Sequence, residues 1–528
     1  MVGETGLSDN VNRTLGKDAQ RNNIAAARIV ADIVKTTLGP KGMDKMLVDG
    51  NGNIIVTNDG VTILEELDIE HPAAKMMVDI AKTQELEVGD GTTTAALLAG
   101  KLLENAEYLL DKKVHPTIIV KGYKKASEQA INFLKQLASK VDDDNILRQI
   151  AMTAMTGKGA EGHKEILADI IVNAVKTVSN GNEVYIGDIN IEKRKGESIS
   201  ETELIRGIVI GKERANIEMP LRVDNAKVLL VDFPIELKNP ETEAKISVSS
   251  PEQLEMFIRA EENYIRDLVD KIVLSGASVV FCQKGIDDVA QYYLAQAGIF
   301  ACRRVTRTQM ERLARATSAK IISNVNDVNL TILGGAEKVE EIKQGDESFI
   351  YIKGCKNPKA VTIVVRAGSN HVMDELERAL NDGIGDVVSA VKSDAVVAGG
   401  GAIEMELSRA LQIYAKSIGG KEQLAIEAFA KSLESIPETL AENAGLDPLE
   451  ILSYMRKQHE AGNARAGLNL FTEKVEDTFI AGIIEPVKVK SQAIMSASEV
   501  ATMILRIDDV LVRKPEHAKQ LKEYDEDD

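Results

Sequence analysis

The most informative part of this chain is Val88-Gly89-Asp90-Gly91-Thr92-Thr93-Thr94, and a strongly helical pattern follows it from Ala95 to Leu103. Glycines let a backbone turn tightly and let its N–H groups approach a ligand closely. The start of a helix presents unpaired N–H donors and a partial positive charge, and both suit phosphate. One aspartate in such a loop would repel a polyphosphate unless a cation lay between them, so the pattern predicts a phosphate site with its own Mg²⁺ ligand. A plain helix cap, with Asp90 or Thr92 as the N-cap residue, accounts for the same residues.

Length and charge limit the classes of protein that the chain can belong to. At 528 residues it is expected to form about three domains. Aromatic residues make up 4% and Trp is absent, so the cores must be mostly aliphatic. The net charge of −18 opposes nonspecific binding to nucleic acid or to anionic membranes, although it allows a local anion site.

Cysteine and histidine usage argues against disulfide and zinc chemistry. The three cysteines are widely spaced and form no CxxC pair, and the six histidines show no ligand spacing. The N-terminal residues lack the apolar segment of a signal peptide, and no run of about 18 apolar residues occurs. We therefore expect a cytoplasmic protein.

Both ends of the chain are predicted to be mainly helical, because apolar residues recur there at three- and four-residue steps. A hairpin is predicted where residues 46–48 and 54–56 flank a Gly/Asn/Asp turn. Residues 156–159, Thr-Gly-Lys-Gly, break one helical stretch. The predicted helices cover 17–38, 72–86, 92–110, 116–140, 144–178, the region from 371 to 414, 421–459 and 492–507.

The centre, roughly 180–365, alternates short β-like runs with helices and so predicts an α/β region. Two organisations remain open: three sequential domains, or one helical domain split between the ends with the centre inserted. The acidic tail, 514–528, is expected to be disordered. The predicted strands are 184–186, 228–231, 279–281, 320–322, 349–352 and 361–365, and the helices among them are 287–297 and 309–316.

Three further stretches combine glycine with Asp, Thr or a helix end, although the chain has no GxxxxGK[ST] or GxGxxG motif. Residues 35–45 could be a helix C-terminus with complementary cations. Residues 56–64 contain Asn58-Asp59-Gly60, which alone indicates a turn. Residues 396–402 contain three consecutive glycines, which favour either a flexible joint or the close approach of a ligand.

Taken together, these stretches are specific. In order and spacing, residues 35–47, 56–64 and 84–92 resemble the signature stretches of the group II chaperonins, the family of the archaeal thermosome and its eukaryotic cytosolic relatives. The likeness extends from about Asn12 to Val512. It departs in the charged tail, where the family is rich in Gly and Met, and in residues 390–397, which are shorter than usual.

The resemblance implies a multi-domain α/β chaperonin fold. A mostly helical equatorial domain would comprise residues 1–143 and 402–528, the latter with the acidic tail. A small intermediate domain would comprise 144–213 and 364–401, and an α/β apical domain 214–363 would carry a helical lid protrusion at about 237–270. Ser250-Pro251-Glu252-Gln253 predicts a helix start there. Ile246, Val248, Leu254, Phe257 and Ile258 would be exposed when the lid is open, and Ile265, Leu268, Val269 and Ile272 would face the core.

The resemblance also implies an ATP site, with Mg²⁺ held by Asp90. The remaining nucleotide contacts would come from the loop residues and from the C-terminal segment: Thr37, Leu38, Gly39, Pro40, Gly89, Gly91, Thr92, Thr93, Thr94, Gly400, Asn469 and Glu485. Asp382, with Asp386 as the alternative, would orient the attacking water, and Asp59 would assist near the γ-phosphate. Gly383, Gly385 and 399–401 are expected bending points for closure of the intermediate domain.

The implied function is that of an ATP-hydrolysing chaperone subunit. Its partners would be identical or paralogous subunits in a double ring and unfolded client proteins, with no nucleic acid, no membrane and no separate cap protein. Two other classes are a ring member that hydrolyses ATP poorly and a stand-alone phosphotransferase. The three carboxylates Asp59, Asp90 and Asp382 argue against the first, and no acceptor pocket is indicated for the second.

Overall fold

The computed structural model describes residues 11–513 except 49, 51, 53, 197, 238–249, 328–329 and 346. The chain forms two compact units: unit 1 comprises Met1–Lys158 and Ser393–Asp528, and unit 2 comprises Gly159–Lys392. Both ends of the chain thus belong to one unit, while the centre forms the other. The finer boundaries of equatorial, intermediate and apical domains stay a prediction.

The secondary structure follows the chain in three segments. The first segment of unit 1 contains β1 (Val11–Leu15), α1 (Gly16–Lys35), β2 (Lys45–Val48), β3 (Ile54–Thr57), α2 (Gly60–Glu66), α3 (Pro72–Val88), α4 (Thr92–Asp111), α5 (Pro116–Leu137) and α6 (Asp144–Met155). Unit 2 contains α7 (Lys164–Val178), β4 (Ile189–Lys195), β5 (Glu203–Ile205), β6 (Gly207–Ile210), β7 (Arg222–Val231), α8 (Pro251–Leu274), β8 (Val279–Cys282), α9 (Asp288–Gln296), β9 (Phe300–Cys302), α10 (Arg307–Thr317), β10 (Ile321–Ile322), β11 (Gly334–Gln344), β12 (Glu347–Lys353), β13 (Val361–Ala367) and α11 (Asn370–Ser393). The returning segment of unit 1 contains β14 (Val396–Ala398), α12 (Ala402–Ile418), α13 (Gly420–Leu433), α14 (Ser435–Asn443), α15 (Pro448–Glu460), β15 (Ala466–Asn469), β16 (Lys474–Asp477), β17 (Ile484–Pro486), α16 (Val487–Leu505) and β18 (Asp509–Arg513).

Unit 1 is a helical body whose core is aliphatic. Helices from both chain segments share this core: α1, α3, α4 and α5 pack with α12, α13 and α16. The buried Tyr123 hydroxyl donates to the Leu102 carbonyl at 2.7 Å, and its ring meets the Phe429 ring edge-on at 5.6 Å. Strands β1 and β18 pair antiparallel, Val11 with Arg513 through Leu15 with Asp509, and so join the two ends of the described chain.

Unit 2 is built on two sheets. The larger has seven strands in the order β6-β12-β11-β7-β8-β9, with β10 paired to β7. Helix α10 packs on one face of it, and α8 and α9 pack on the other. The smaller sheet has the order β4-β13-β5. This is the α/β architecture that the alternating pattern predicted.

The predicted helices and the 46–56 hairpin are confirmed, with ends shifted by a few residues, although the helical stretch predicted over 421–459 consists of three helices, α13, α14 and α15. One predicted strand is wrong: residues 184–186 do not pair in a sheet, and Ile186–Asp188 forms a 3₁₀ turn. Tyr185 and Ile186 are exposed there, so no apolar face favours pairing. The strand starts instead at Ile189, in parallel register with Val361. Four further strands of unit 2 were not predicted from the sequence, namely β5, β6, β9 and β11.

The predicted helix start at Ser250 is confirmed, while its place in a lid stays a prediction. Ser250 caps α8, its hydroxyl accepting from the Gln253 N–H at 3.3 Å, and Pro251 follows in the first turn. Phe257 and Ile258 are exposed. The four residues predicted to face the core are buried, namely Ile265, Leu268, Val269 and Ile272. Ile246 and Val248 lie outside the described residues, as do the side chain of Leu254 and the acidic tail.

No helix in the described part of the chain has the length and apolar character needed to cross a bilayer.

Candidate functional site

The glycine-flanked loop connects two long helices of unit 1. Gly91 is the N-cap residue of α4, with φ +82°, and no side chain caps the first turn of this 20-residue helix. The alternative of Asp90 or Thr92 as the capping side chain is therefore wrong. Because the N–H groups of a first helical turn need outside acceptors, they are available to an anion.

Gln84 holds this loop from the end of α3. Its buried amide nitrogen donates to the Asp90 carbonyl at 2.8 Å and to the Val489 carbonyl at 3.3 Å. A Cβ at Gly91 would lie 2.9 Å from Val489 Cγ1, so only glycine fits between α16 and the loop. Gln84 lies in the family signature stretch 84–92, but no role was predicted for it from the sequence.

Asp59 precedes α2 and caps it. Its Oδ2 accepts from the Thr62 N–H at 2.9 Å and from the Thr62 hydroxyl at 2.6 Å. The next residue, Gly60, contacts the glycine-flanked loop 89–94 (the predicted phosphate loop), since a Cβ at Gly60 would lie 2.7 Å from Thr93 Oγ1. The turn that looked simple in sequence thus places a carboxylate beside residues 89–94.

The loop after α1 is fastened to helix α14. The Asn443 amide donates to the carbonyls of Lys35 and Leu38, at 3.1 and 2.9 Å. Thr37 is buried, and its hydroxyl donates to the Val34 carbonyl at 2.9 Å. Thr37–Pro40 are therefore held by hydrogen bonds to α1 and α14, and their contact with a nucleotide stays a prediction.

Gly157 and Lys158 bring these loops together. A Cβ at Gly157 would lie 2.5 Å from Pro40 Cα, and the Asn58 amide donates to the Gly157 carbonyl at 2.9 Å. The Lys158 ammonium lies 3.9 Å from Asp90 Oδ1. From the sequence, residues 156–159 were predicted only to break a helix. A lysine between two glycines, Gly157-Lys158-Gly159, was a signal for an anion contact.

The glycine run 399–401 packs closely against strands β15 and β17. Gly400 has φ +65°, and a Cβ there would lie 2.6 Å from the Leu468 carbonyl oxygen. The Leu468 N–H donates back to the Gly400 carbonyl at 2.8 Å. A Cβ at Gly399 would lie 2.6 Å from Glu485 Oε1. Glu485 therefore lies beside Gly399, the residue before Gly400, and the roles of Glu485 and Gly400 at a nucleotide stay predictions.

Asn469, at the end of β15, is engaged within its hairpin. Its amide donates to Glu476 Oε1 at 2.6 Å, and its Oδ1 accepts from the Phe471 N–H at 3.0 Å. The side chain is buried. It stands next to Leu468, and so beside the Gly400 loop.

The predicted catalytic carboxylates Asp382 and Asp386 lie one turn apart on α11, and both are buried. They belong to unit 2, whereas the other predicted site residues belong to unit 1. Gly383 and Gly385 lie inside the same continuous helix. The catalytic assignment and the bending points stay predictions.

Among the described residues, no group of three or more His, Cys, Asp or Glu side chains could hold a metal by itself. Mg²⁺ at nucleotide sites is bound by one or two carboxylates, phosphate oxygens and water. Asp90, partly exposed at the phosphate loop, fits that requirement.

The sequence of this chain has clear relatives. The TCP-1/cpn60 chaperonin family matches residues 30–515, and the chain belongs to this family. It is 55% identical over 514 residues to thermosome subunit beta of Archaeoglobus fulgidus, covering 96% of this chain and 94% of the relative. It is 54% identical to the thermosome subunits of Methanopyrus kandleri, covering 96% and 94%, and of Pyrococcus horikoshii, covering 96% and 93%.

These relatives confirm the predicted resemblance, the chaperonin fold and the class of function. The protein is a subunit of an ATP-dependent chaperone that assembles as a double ring.

Proposed function

We propose that this subunit binds Mg-ATP at the loops of unit 1 and hydrolyses it to drive closure of a built-in lid over unfolded protein. The single observation that carries the proposal is the uncapped first turn of α4, toward which Asp59, Asp90 and Lys158 converge. Three ordered loops surround an anion-binding helix start, and the family is ATP-using.

The phosphate contacts follow from chemistry. Backbone N–H groups of Gly89–Thr94 would hold the phosphate oxygens, and Lys158 would supply a positive charge near them. Asp90 would ligate Mg²⁺, whose charge would separate the carboxylate from the phosphates. Thr37–Pro40 would form the opposite wall.

The ribose and base would lie toward the C-terminal segment. Gly400 allows close approach of backbone, Glu485 supplies an acceptor for sugar hydroxyls, and Asn469 stands beside the same loop. This assignment rests on the family resemblance, on the packing of Gly400 and Asn469 at Leu468, and on the contact of Glu485 with Gly399.

Hydrolysis needs a positioned water and charge neutralisation more than covalent catalysis. We assign water orientation to Asp382, with Asp386 as the alternative, and assistance to Asp59. Asp382 belongs to unit 2, and the family resemblance implies that closure of the intermediate domain brings it to the nucleotide.

The proposed partners are identical or paralogous subunits and unfolded client proteins, and the proposed location is the cytoplasm. Electron microscopy of the purified chain with and without Mg-ATP tests the assembly. Closed double rings with Mg-ATP are expected, whereas a sharply monomeric particle would contradict the proposal.

A pair of variants tests the chemistry in the intact protein. Asp90→Ala is expected to weaken Mg-ATP binding in calorimetry, with little further loss on adding EDTA. Asp382→Ala is expected to keep binding while hydrolysis falls by about 100-fold or more. Asp79→Ala, an exposed aspartate of α3, is the matched control and should match wild type. Equal loss of Mg-ATP binding in Asp90→Ala and Asp382→Ala would contradict the assignment of Asp382 to orienting the water.

A further inference from the structure

Lys490 joins two carboxylates beneath the ribose end of the proposed site. It lies in the first turn of α16, directly after the strand that carries Glu485. Its ammonium lies 2.5 Å from Glu485 Oε2 and 2.8 Å from Glu404 Oε1. Glu404 belongs to the first turn of α12, immediately after the glycine run. The lysine thus links α16 to α12, the helix that follows residues 399–401.

Burial distinguishes the three side chains. Lys490 is 7% exposed and Glu404 is 5% exposed, whereas Glu485 is 23% exposed. Only Glu485 can therefore meet a ligand from solvent. Glu404 Oε2 is buried and has no hydrogen-bond partner within the described residues.

The ionisation of the cluster agrees with this division. Burial lowers the pKa of Lys490, but the two carboxylates raise it by more, so its pKa lies above the ordinary value and it stays charged. Burial raises the pKa of Glu485, Lys490 opposes that shift, and Glu404 and Asp90 add to it. Without the ammonium, Glu485 would lose its main stabilising partner as a carboxylate.

The geometry of Glu485 leaves one oxygen for a ligand. Oε2 is held by Lys490, whereas Oε1 faces Gly399, whose lack of a side chain leaves room beside that oxygen, since a Cβ there would lie 2.6 Å from it. Strand β17 is itself fixed by pairing with β14, with Glu485 opposite Val397. The side chain is thus fixed at one oxygen and open at the other.

We propose that Lys490 is a positioning residue that holds Glu485 so that its open oxygen accepts hydrogen bonds from the sugar hydroxyls, and that this pair selects ribonucleotides over deoxyribonucleotides. The inference rests on the proposed ATP site. A site built to accept a hydroxyl discriminates against the analogue that lacks it, because the acceptor that the bound nucleotide covers is then left unpaired.

The test measures the ratio of the dissociation constants for 2′-dATP, 3′-dATP and ATP, by calorimetry on the full chain with Mg²⁺. Wild type is expected to prefer ATP over at least one deoxy analogue by about 10-fold or more, the scale of one charge-assisted hydrogen bond. Lys490→Met is expected to reduce that preference to near one. Lys488→Met, an exposed lysine in the same helical turn, is the matched control and should keep the wild-type ratio.

A double variant separates positioning from stability. Lys490→Met leaves the buried Glu404 without its partner and can destabilise the fold. Lys490→Met with Glu404→Leu removes both buried charges, and we expect it to restore the melting temperature but not the sugar preference. Retention of the wild-type ratio in the folded double variant would overturn the positioning role.

Failure of the proposed ATP site would look different. Wild type that binds none of the three nucleotides would overturn the site itself. Wild type that binds ATP and both deoxy analogues equally would leave the ATP site standing and overturn only the role of Lys490 and Glu485.

Discussion

Gly400→Ala tests whether the glycine run between β14 and α12 sets nucleotide affinity through backbone packing. A Cβ at this position would lie 2.6 Å from the Leu468 carbonyl oxygen. Because that oxygen belongs to the backbone, rotation of a side chain cannot relieve the clash. The two segments must separate, which weakens the 2.8 Å hydrogen bond from the Leu468 N–H to the Gly400 carbonyl.

The expected loss has three sources. An L-residue in the left-handed region costs about 1 kcal/mol. A weakened backbone hydrogen bond costs about 1 kcal/mol, and relief of an overpacked contact costs about 1–3 kcal/mol. We therefore expect the unfolding free energy of unit 1 to fall by about 3 kcal/mol or more. Since Asn469 would shift with Leu468, ATP affinity should fall by about 10-fold or more.

Gly445→Ala is the matched control. Gly445 has φ +72°, and nothing lies within 4 Å of a Cβ placed there. It should lose only the backbone cost of about 1 kcal/mol and keep wild-type ATP affinity. Calorimetric titration with Mg-ATP and urea unfolding followed by circular dichroism measure both quantities. Equal losses in the two variants, or wild-type ATP affinity in Gly400→Ala, would refute the reasoning.

Three further variants probe the scaffold around the site. Gln84→Leu removes the amide that holds the phosphate loop and should weaken ATP binding by about 10-fold, as measured by calorimetry; unchanged affinity would remove its positioning role. Asn443→Ala leaves the Leu38 carbonyl unsatisfied and should destabilise the protein by about 1–3 kcal/mol in urea unfolding, and a smaller loss would show that water replaces the amide. Burial raises the pKa of Glu406, but the hydrogen bonds from His459 and the neighbouring arginine lower it by more, so its net pKa lies below the ordinary 4.5. The stability that the ionised Glu406 carboxylate contributes is therefore present above pH 4.5 and is lost as the pH falls through its folded pKa. The difference in melting temperature between wild type and Glu406→Gln should shrink below pH 4.5, and a difference that stays constant with pH would contradict this.

Helices were predictable because their signals are local. Apolar residues at three- and four-residue steps marked α1, α3, α4 and α5, and Pro72, Pro116 and Pro251 marked helix starts. The glycine-flanked loop was recognisable for the same reason, since its turn and the helix after it are adjacent in sequence.

Several strands of unit 2 were not predictable, because pairing partners are distant in sequence. Strand β11, Gly334–Gln344, carries several charges and has no apolar alternation, yet it lies between β7 and β12. Residues 184–186 have the right composition for a strand but no neighbouring strand to pair with. Propensity in sheets depends on those neighbours.

The sequence by itself determined the family and the helical framework and predicted the residues of an ATP site, because periodicity, turn chemistry and motif spacing depend on residues that are close together in the chain. Only the tertiary structure decided which distant groups meet. It set Gln84 against the Val489 carbonyl, Asn58 against Gly157, and Lys490 between Glu404 and Glu485. Such contacts depend on how separate segments pack into one core, and no local pattern carries that information.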